Sequence, residues 1–463
     1  MVLDVLFTFG LLLSAASQLR PVGASVGPGE ICLAIWILVV LFRETSRLGF
    51  ALTPSLSRLV IFWLAFAAAQ CIGTMVGFVT GDRHDTGLFM HDVVAYPVLA
   101  AISCLSVVGA AASFRLHRVA WFLVTFGAGW LALQVAAGWG LVDLGDFDTW
   151  EWERFRGLSD NSNQLALFCA VVALISLHLL DTARRLVERI VAAVCMVVAI
   201  VVGRLTLSDA FLLVVVAAGP IFATFKLRRW LMSLEAPMQL RSASAWIVVL
   251  ALPLVIAYAV PLGVSAATEL EGFIKGMTKG GGRDTEETAR LRIQIWNEAI
   301  RRGMEAGALG LGPGPHLEIP SSIVAGRRDS TNDPKHVEHP EFGFTPNFEA
   351  HNTLLDLFTQ GGLIAVLSLG WLVATAFVMT QRAELDGLTI LLCGLAIFSI
   401  FHLIVRHPTF WFAISLCLVA AADPRRSEKG WQSRHAVSRQ DSRWSTDESI
   451  PAGSLRSGSE AWM

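Results

Sequence analysis

The sequence predicts an all-α polytopic membrane bundle of about twelve transmembrane helices, with a large loop on one side carrying short amphipathic helices. Two observations carry that prediction. Of 463 residues, 54% are hydrophobic and only 16% charged, against roughly 25% charged in an ordinary soluble domain. Apolar runs of about 17 to 25 residues also recur from end to end, enough to cross a bilayer as helices. In lipid, backbone polar groups must be satisfied internally, so such runs become helices rather than open sheets.

Taken in order, apolar spans fall near 2–17, 30–42, 58–78, 92–112, 119–140, 162–181, 190–203, 205–225, 244–263, 351–380, 388–404 and 409–422. The opening run lacks a basic stretch before it, so it reads as a retained helix rather than a cleaved leader. Arg43 and Arg47, Arg115 and Arg118, Arg184, Arg185 and Arg189, and Lys226, Arg228 and Arg229 occupy alternate connections; Arg382, Arg425, Arg426 and Lys429 continue the series. The positive-inside rule then puts both termini in the cytoplasm. The segments 18–29, 79–91, 141–161, 264–350 and 405–408 then lie on the opposite, non-cytoplasmic side. Five regions follow: 1–140 and 141–263 as N-terminal and central membrane helices, 264–350 as the large loop, 351–422 as C-terminal helices, and 423–463 as a Ser-, Arg- and Gly-rich cytoplasmic tail that reads as disordered.

The net charge of -2 decides little, and the basic residues form no continuous face, which argues against nucleic acid. All seven cysteines lie inside apolar stretches without metal-like spacing and read as small buried hydrophobes. The cluster Asp333, His336, Glu338 and His339 has the residue types of a metal site, but two flanking prolines in a polar loop favour a solvated segment, and no metal or cofactor is expected.

Out-of-place polar residues gather on the non-cytoplasmic side. Before the sixth span, "RFRGLSDNSNQLA" holds Arg154, Arg156, Asn161 and Asn163. A helix cap explains the Asn and Ser residues, whereas the arginines fit anion binding at a helix start; both readings stand. In "ETARLRIQIWNEAIRRGMEAGALGLGPGPHLE" and the residues just before it, Asp284 and Glu287 suggest a capping box. Ala289, Ile293, Trp296, Ile300 and Met304 then mark an amphipathic helix outside the membrane. Arg290 and Arg292 sit in its early turns, and "GLGPG" ends it. Its arginines are either solvated or functional. His351 and Asn352 stand at the mouth of a long apolar span, with Glu349 beside them, and Arg406 and His407 stand at another. His178 and His402 are the mild exceptions to helix interiors nearly without charge.

Together these motifs resemble the O-antigen ligase and polymerase superfamily over about 143–412. "HNTLLDLFTQGGLIAVL" is similar to its His-Asn signature, "RLRIQIWNEAI" with "GLGPG" to its Arg-to-Trp element before a Gly-x-Gly turn, and "RFRGLSDNSNQLA" to its Arg-Gly segment. One departure stands out: where the family carries Ser-Arg at the eighth helix, this chain has Ser208 and Asp209, with Arg204 one turn away as the candidate replacement. The departure bears on full activity or on how the donor is held.

The resemblance implies a metal-independent inverting glycosyltransferase, working at the periplasmic face on an undecaprenyl-diphosphate-linked saccharide. The acceptor would be lipid A-core for a ligase or a growing polysaccharide for a polymerase. His351 would be the base, oriented by Asn352 or Glu349. Arg156, Arg292, Arg204 and Arg406 would hold the diphosphate, with Asn163, Gly312 and Gly314 in support. The competing class is a saccharide transporter or flippase, whose polar groups would sit at mid-membrane with inverted repeats; no convincing repeat is present. An inactive family member is the third reading.

Overall fold

The protein is described from a computed structural model, which covers residues 1–21, 26–46, 52–82, 85–109, 111–145, 147–151, 153–233, 243, 285–318 and 348–423. The described helices are α1 (Val2–Ser14), α2 (Pro28–Thr45), α3 (Pro54–Thr80), α4 (Thr86–Ser106), α5 (Ala112–Gly138), α6 (Ser162–Thr182), α7 (Leu186–Leu205) and α8 (Asp209–Ser233). They continue with α9 (Thr285–Glu305), α10 (Thr353–Arg382), α11 (Asp386–Ser399) and α12 (Pro408–Ala421). A two-stranded antiparallel hairpin, β1 (Trp150–Glu151) and β2 (Arg154–Phe155), is the only sheet among the described residues.

The molecule is an all-α membrane bundle. Among the described residues seven helices, α3 to α8 and α10, are long and apolar enough to cross a membrane, and α1, α11 and α12 are shorter apolar helices. Eleven of the twelve predicted spans coincide with a described helix; the span at 244–263 lies outside the described residues, as do most of the loop and the tail.

Two boundaries differ from the sequence reading in ways that matter. The helix predicted from 351 starts at Thr353, and the one predicted to 404 ends at Ser399. His351 and His402 therefore both lie in connections rather than in helices. The polar pair His-Asn and the Phe401-His402 turn interrupt the apolar pattern, which hydropathy averaging spreads over.

Helix α6 is apolar all round and lies at the centre, packed by α5, α7, α8, α11 and α12. Helix α12 is buried almost throughout, with Phe410, Trp411 and Phe412 nearly inaccessible. Trp411 meets Trp63 at 4.4 Å and Phe62 at 5.2 Å, and Phe7 stacks on Trp36 at 4.3 Å. Such pairs add about 0.5–1.5 kcal/mol each beyond area burial.

The predicted basic connections pair with acids at one end: Arg118 with Asp4 at 3.3 Å, Lys226 with Asp181 at 2.6 Å, and Arg229 with Asp386 at 2.7 Å. The segments predicted for the opposite side meet at the other end. Gln18 donates to the carbonyls of Asp148, Gly157 and Ser159, and Asp82 faces Arg302 and His316.

Helix α10 breaks at Gly361 and Gly362, and the loop after α9 fills the break. The carbonyls of Thr359 and Gln360 lose their helical partners and accept the N–H groups of Leu311 (2.8 Å) and Gly312 (2.8 Å); Leu363 N–H donates to Ala308 O at 2.9 Å. Unpaired backbone groups at this depth would cost several kcal/mol. Gly362 (φ 61, ψ -158) adopts a conformation reserved for glycine, and a Cβ there would stand 2.2 Å from the Ala308 carbonyl. Gly362→Ala should therefore cost at least about 2 kcal/mol, read as a lowered melting temperature of the detergent-solubilised protein. A melting temperature equal to wild type would show that the break is not enforced.

Candidate active site

His351 owes its position to the residues around it. Asn352 is the N-cap of α10: its Oδ1 accepts the N–H groups of Leu354 (3.0 Å) and Leu355 (3.2 Å). Asp356, one turn on, reaches back and accepts from Ala350 N–H (2.7 Å) and Asn352 N–H (3.2 Å). The backbone on both sides of His351 is thus pinned, which holds His351 at φ 50, left-handed and uncommon outside glycine. Strain of this kind costs about 1–3 kcal/mol and persists where the surroundings over-determine it. The ring packs edge-on to Phe348 at 5.2 Å and remains exposed at the mouth. Thr353 donates to the His402 carbonyl (2.5 Å) and accepts Ile404 N–H (3.0 Å), joining the α11–α12 connection to the same place. Asn352 or Glu349 was expected to orient His351; the carbonyl oxygen of Asn352 serves the cap.

Helix α9 lies across the start of α10. Trp296 donates to the Ala350 carbonyl at 3.2 Å, Leu317 and Phe348 form a bridge, and Ile295, Ala299, Leu317 and Ala350 make a small separate core. The predicted stripe splits: Trp296 packs inward, whereas Ile293, Ile300 and Met304 are 55%, 46% and 62% exposed. The inward face runs through positions 295 and 299 because the helix docks on the α10 threshold. Arg292 places its guanidinium 5.6 Å over the Phe401 ring and, among the described residues, has no carboxylate within ion-pair distance. The Asp284 cap and the Arg290 side chain lie outside what is described.

The β hairpin sets Arg154, and not Arg156, within electrostatic reach of Arg292. Arg154 donates from Nε to Thr206 O (3.1 Å) and from Nη2 to Asn163 Oδ1 (2.9 Å), so Asn163 holds an arginine in place as well as beginning α6. Burial pulls the Arg154 pKa down; Glu151 and Asp209 oppose this, and the charge of Arg292 adds to it. Arg156 turns the other way, onto Asp148: 2.8 Å to the carboxylate and 2.9 Å to its carbonyl. Strand alternation would put both on one face, but β2 stops at Phe155 and the chain turns at Gly157. Arg204 stands in the last turn of α7, two residues before the Thr206 that receives Arg154. Asp209, in the place of the family arginine, adds negative charge beside Arg154.

Arg406 was expected to be a phosphate-binding cation, but both its terminal nitrogens are taken. One bonds Glu349 and the other Asp92. Asp92 is fully buried and also accepts Gly314 N–H at 3.1 Å. Glu349 is likewise bound to Arg406 while exerting its charge on His351. Gly312 and Gly314 give their N–H groups to Gln360 and Asp92, so the GLGPG turn is a wedge under the site and not a phosphate cradle. His316, 1% exposed, bridges Asp82 (3.1 Å) and Gly312 O (2.8 Å) and anchors that wedge.

Crowding by protein lowers the His351 pKa; Glu349 opposes this and Arg292 reinforces it. The pKa of His402 is pushed down to about 3 by burial, then by His351, Arg292, His407 and Arg154, and that of His407 to about 4 by burial and Arg406. The arrangement is a neutral imidazole at an open mouth, backed by two arginines that lack carboxylate partners among the described residues. It can accept a proton and hold an anion side by side. Among the described residues no group of three His, Cys, Asp or Glu could hold a metal ion, and Asp333, His336, Glu338 and His339 lie outside them.

The sequence reading did not select Arg154, His402, Asp92 or Asp356 as site residues. Arg154 carried a signal, since capping does not explain an arginine there; the others are single polar residues whose meeting is tertiary.

A helical membrane bundle with such a site at one end suits an envelope enzyme working on charged lipid-borne substrates. The O-antigen ligase family model matches residues 194–370, which supports the superfamily that the motifs resemble. The match is under half of the chain; it includes Arg204, Asp209, Arg292, Gly312, Gly314, Glu349, His351 and Asn352, and leaves Arg154, Arg156, Asn163, His402 and Arg406 outside. No curated protein matches the chain. In general terms, the match supports a membrane enzyme of polysaccharide-related glycosyl transfer.

Proposed function

We propose that the protein transfers a saccharide from undecaprenyl diphosphate to a sugar hydroxyl, at the periplasmic face of the inner membrane, as an O-antigen ligase or a related polysaccharide polymerase. The observation that carries this reading is the grouping of Arg292 with the open His351 and of Arg154 with Arg292, neither arginine with a carboxylate within ion-pair distance among the described residues. The acceptor hydroxyl attacks the anomeric carbon from the face opposite the leaving group, so the configuration inverts. The new C–O bond forms as the C–O bond to the phosphate breaks. The hydroxyl proton passes to His351, and the lipid diphosphate leaves with its charge held by Arg154 and Arg292. Arg406, Glu349, Asp92 and the GLGPG wedge fix the backbone that presents His351, and apolar helix faces accommodate the polyprenyl chain. In this scheme side chains of the protein itself take the proton and balance the charge.

A base must be neutral to act. The His351 pKa lies below the ordinary value of about 6.5, so transfer should hold through neutral pH and fall only as pH drops through that lowered value. Arg292→Met removes a charge that lowers the pKa and should move the acidic limb of kcat/KM to higher pH; Glu349→Gln removes one that raises it and should move the limb lower. A limb unmoved in both variants would mean that His351 is not the group titrating. The direct test of the activity is saccharide transfer by the purified protein from a lipid-diphosphate donor. Absence of transfer to any acceptor hydroxyl would overturn the proposal.

A further inference from the structure

We propose that His402 is a second substrate-contacting imidazole, completing with Arg154 and Arg292 an anion subsite that takes up a proton when a diphosphate binds. The inference rests on the diphosphate reading above and goes beyond it. His402 sits in the turn between α11 and α12, its ring 5.0 Å from Phe398 and its carbonyl fixed by Thr353 at 2.5 Å. The neighbouring Phe401 carries the Arg292 guanidinium on its face. From the elements packed around it, His402 is faced by Arg292 on α9, Arg154 on the hairpin, His351 before α10 and His407 before α12.

Every one of those groups is a cation or can become one. Of the carboxylates in the region, Glu349 and Asp92 pair with Arg406 and Asp356 with the α10 threshold, while Glu151 and Asp209 act on Arg154 from beyond ion-pair distance. Among the described residues, no carboxylate lies within ion-pair distance of this cluster of two arginines and a half-buried imidazole. It is electrostatically incomplete, and an anion with several charges completes it. Such an anion reverses the field at His402: burial comes first in keeping it neutral, and the arginines that add to that effect are themselves neutralised. One proton then moves from solvent to the imidazole, which donates a hydrogen bond to a phosphate oxygen. When the lipid diphosphate departs, the proton returns to solvent. His402 thus assists the leaving group while His351 serves the acceptor, and the two imidazoles carry opposite protonation in one complex.

The test uses the full chain in detergent and geranyl diphosphate, a short prenyl diphosphate. Calorimetric titration at about pH 6, in buffers of differing ionisation enthalpy, counts protons taken up on binding. The ligand's own protonation change is common to all variants and cancels in the comparison. Wild type and His351→Gln should each take up about one proton more than His402→Gln. Equal uptake in wild type and His402→Gln overturns the inference, as does uptake lost in His351→Gln instead. A second readout needs no variant: in 15N-histidine-labelled wild type, one imidazole should convert to imidazolium on ligand addition, and an unchanged histidine spectrum contradicts the proposal. Binding without the extra proton sinks only the role of His402, whereas absence of binding sinks the diphosphate reading with it.

Discussion

His351→Ala should lower transfer by about 10²–10⁴-fold, the usual contribution of a positioned general base and equivalent to about 3–5.5 kcal/mol in the barrier. The fold should survive, because the His351 side chain is exposed at the mouth, where its ring packs edge-on to Phe348. The substitution even suits the helix start: the cap belongs to Asn352 and the pinning to Asp356, and neither is touched. What remains strained is the left-handed backbone at φ 50, which alanine adopts less readily than histidine, so a small loss of stability accompanies the change. The check is initial-rate transfer by wild type and variant of equal monodispersity. An active His351→Ala would move the base elsewhere in the site.

The second large effect separates two arginines two residues apart. Arg154→Ala should nearly abolish use of the lipid-diphosphate donor, and Arg156→Ala should leave most of it. Arg154 is partly buried, held by Asn163 and Thr206, and within electrostatic reach of Arg292 and His402. Removing one charged hydrogen-bonding partner of a developing anion costs about 2.7–4 kcal/mol, roughly 10²–10³ in rate. Arg156 pairs with Asp148, whose side chain is 56% exposed, and such a pair contributes on the order of 0–1 kcal/mol. Arg154→Lys should recover part of the loss, since a point charge replaces some of the guanidinium's function but cannot span Thr206 and Asn163 at once. Donor saturation curves for the three variants decide the matter. A greater loss in Arg156→Ala than in Arg154→Ala would reverse the assignment.

Much of the architecture was open to reading in the sequence because lipid permits few solutions. Apolar runs marked the helices, and the arginines of alternate connections, which pair at one end with Asp4, Asp181 and Asp386, marked the shared ends. The break in α10 was not visible. Gly361-Gly362 inside an apolar run is tolerated in many membrane helices, and only the GLGPG wedge makes it a break.

The site was legible to the level of segments and not of side-chain roles. His351 and Arg292 do approach one another, as their motifs suggested. The pairing of Arg406 was not visible because its partners, Asp92 and Glu349, lie 314 and 57 residues away in sequence. Arg156 was preferred to Arg154 because a motif marks a segment, whereas the end of a two-residue strand decides which side chain turns inward. His402 went unselected for a related reason: hydropathy put it inside a helix that ends three residues earlier.

The central claim is that this site joins a lipid-diphosphate-borne saccharide to an acceptor through His351. The most direct measurement is the lipid-linked and surface saccharide profile of a deletion strain complemented with wild type or with His351→Ala. Wild type should restore the surface polymer, and the variant should leave the donor stranded on undecaprenyl diphosphate, as long chains for a ligase or as single repeat units for a polymerase. A wild-type profile from His351→Ala would contradict the account and bring forward the transporter reading, in which this end of the bundle gates a path instead of performing a transfer.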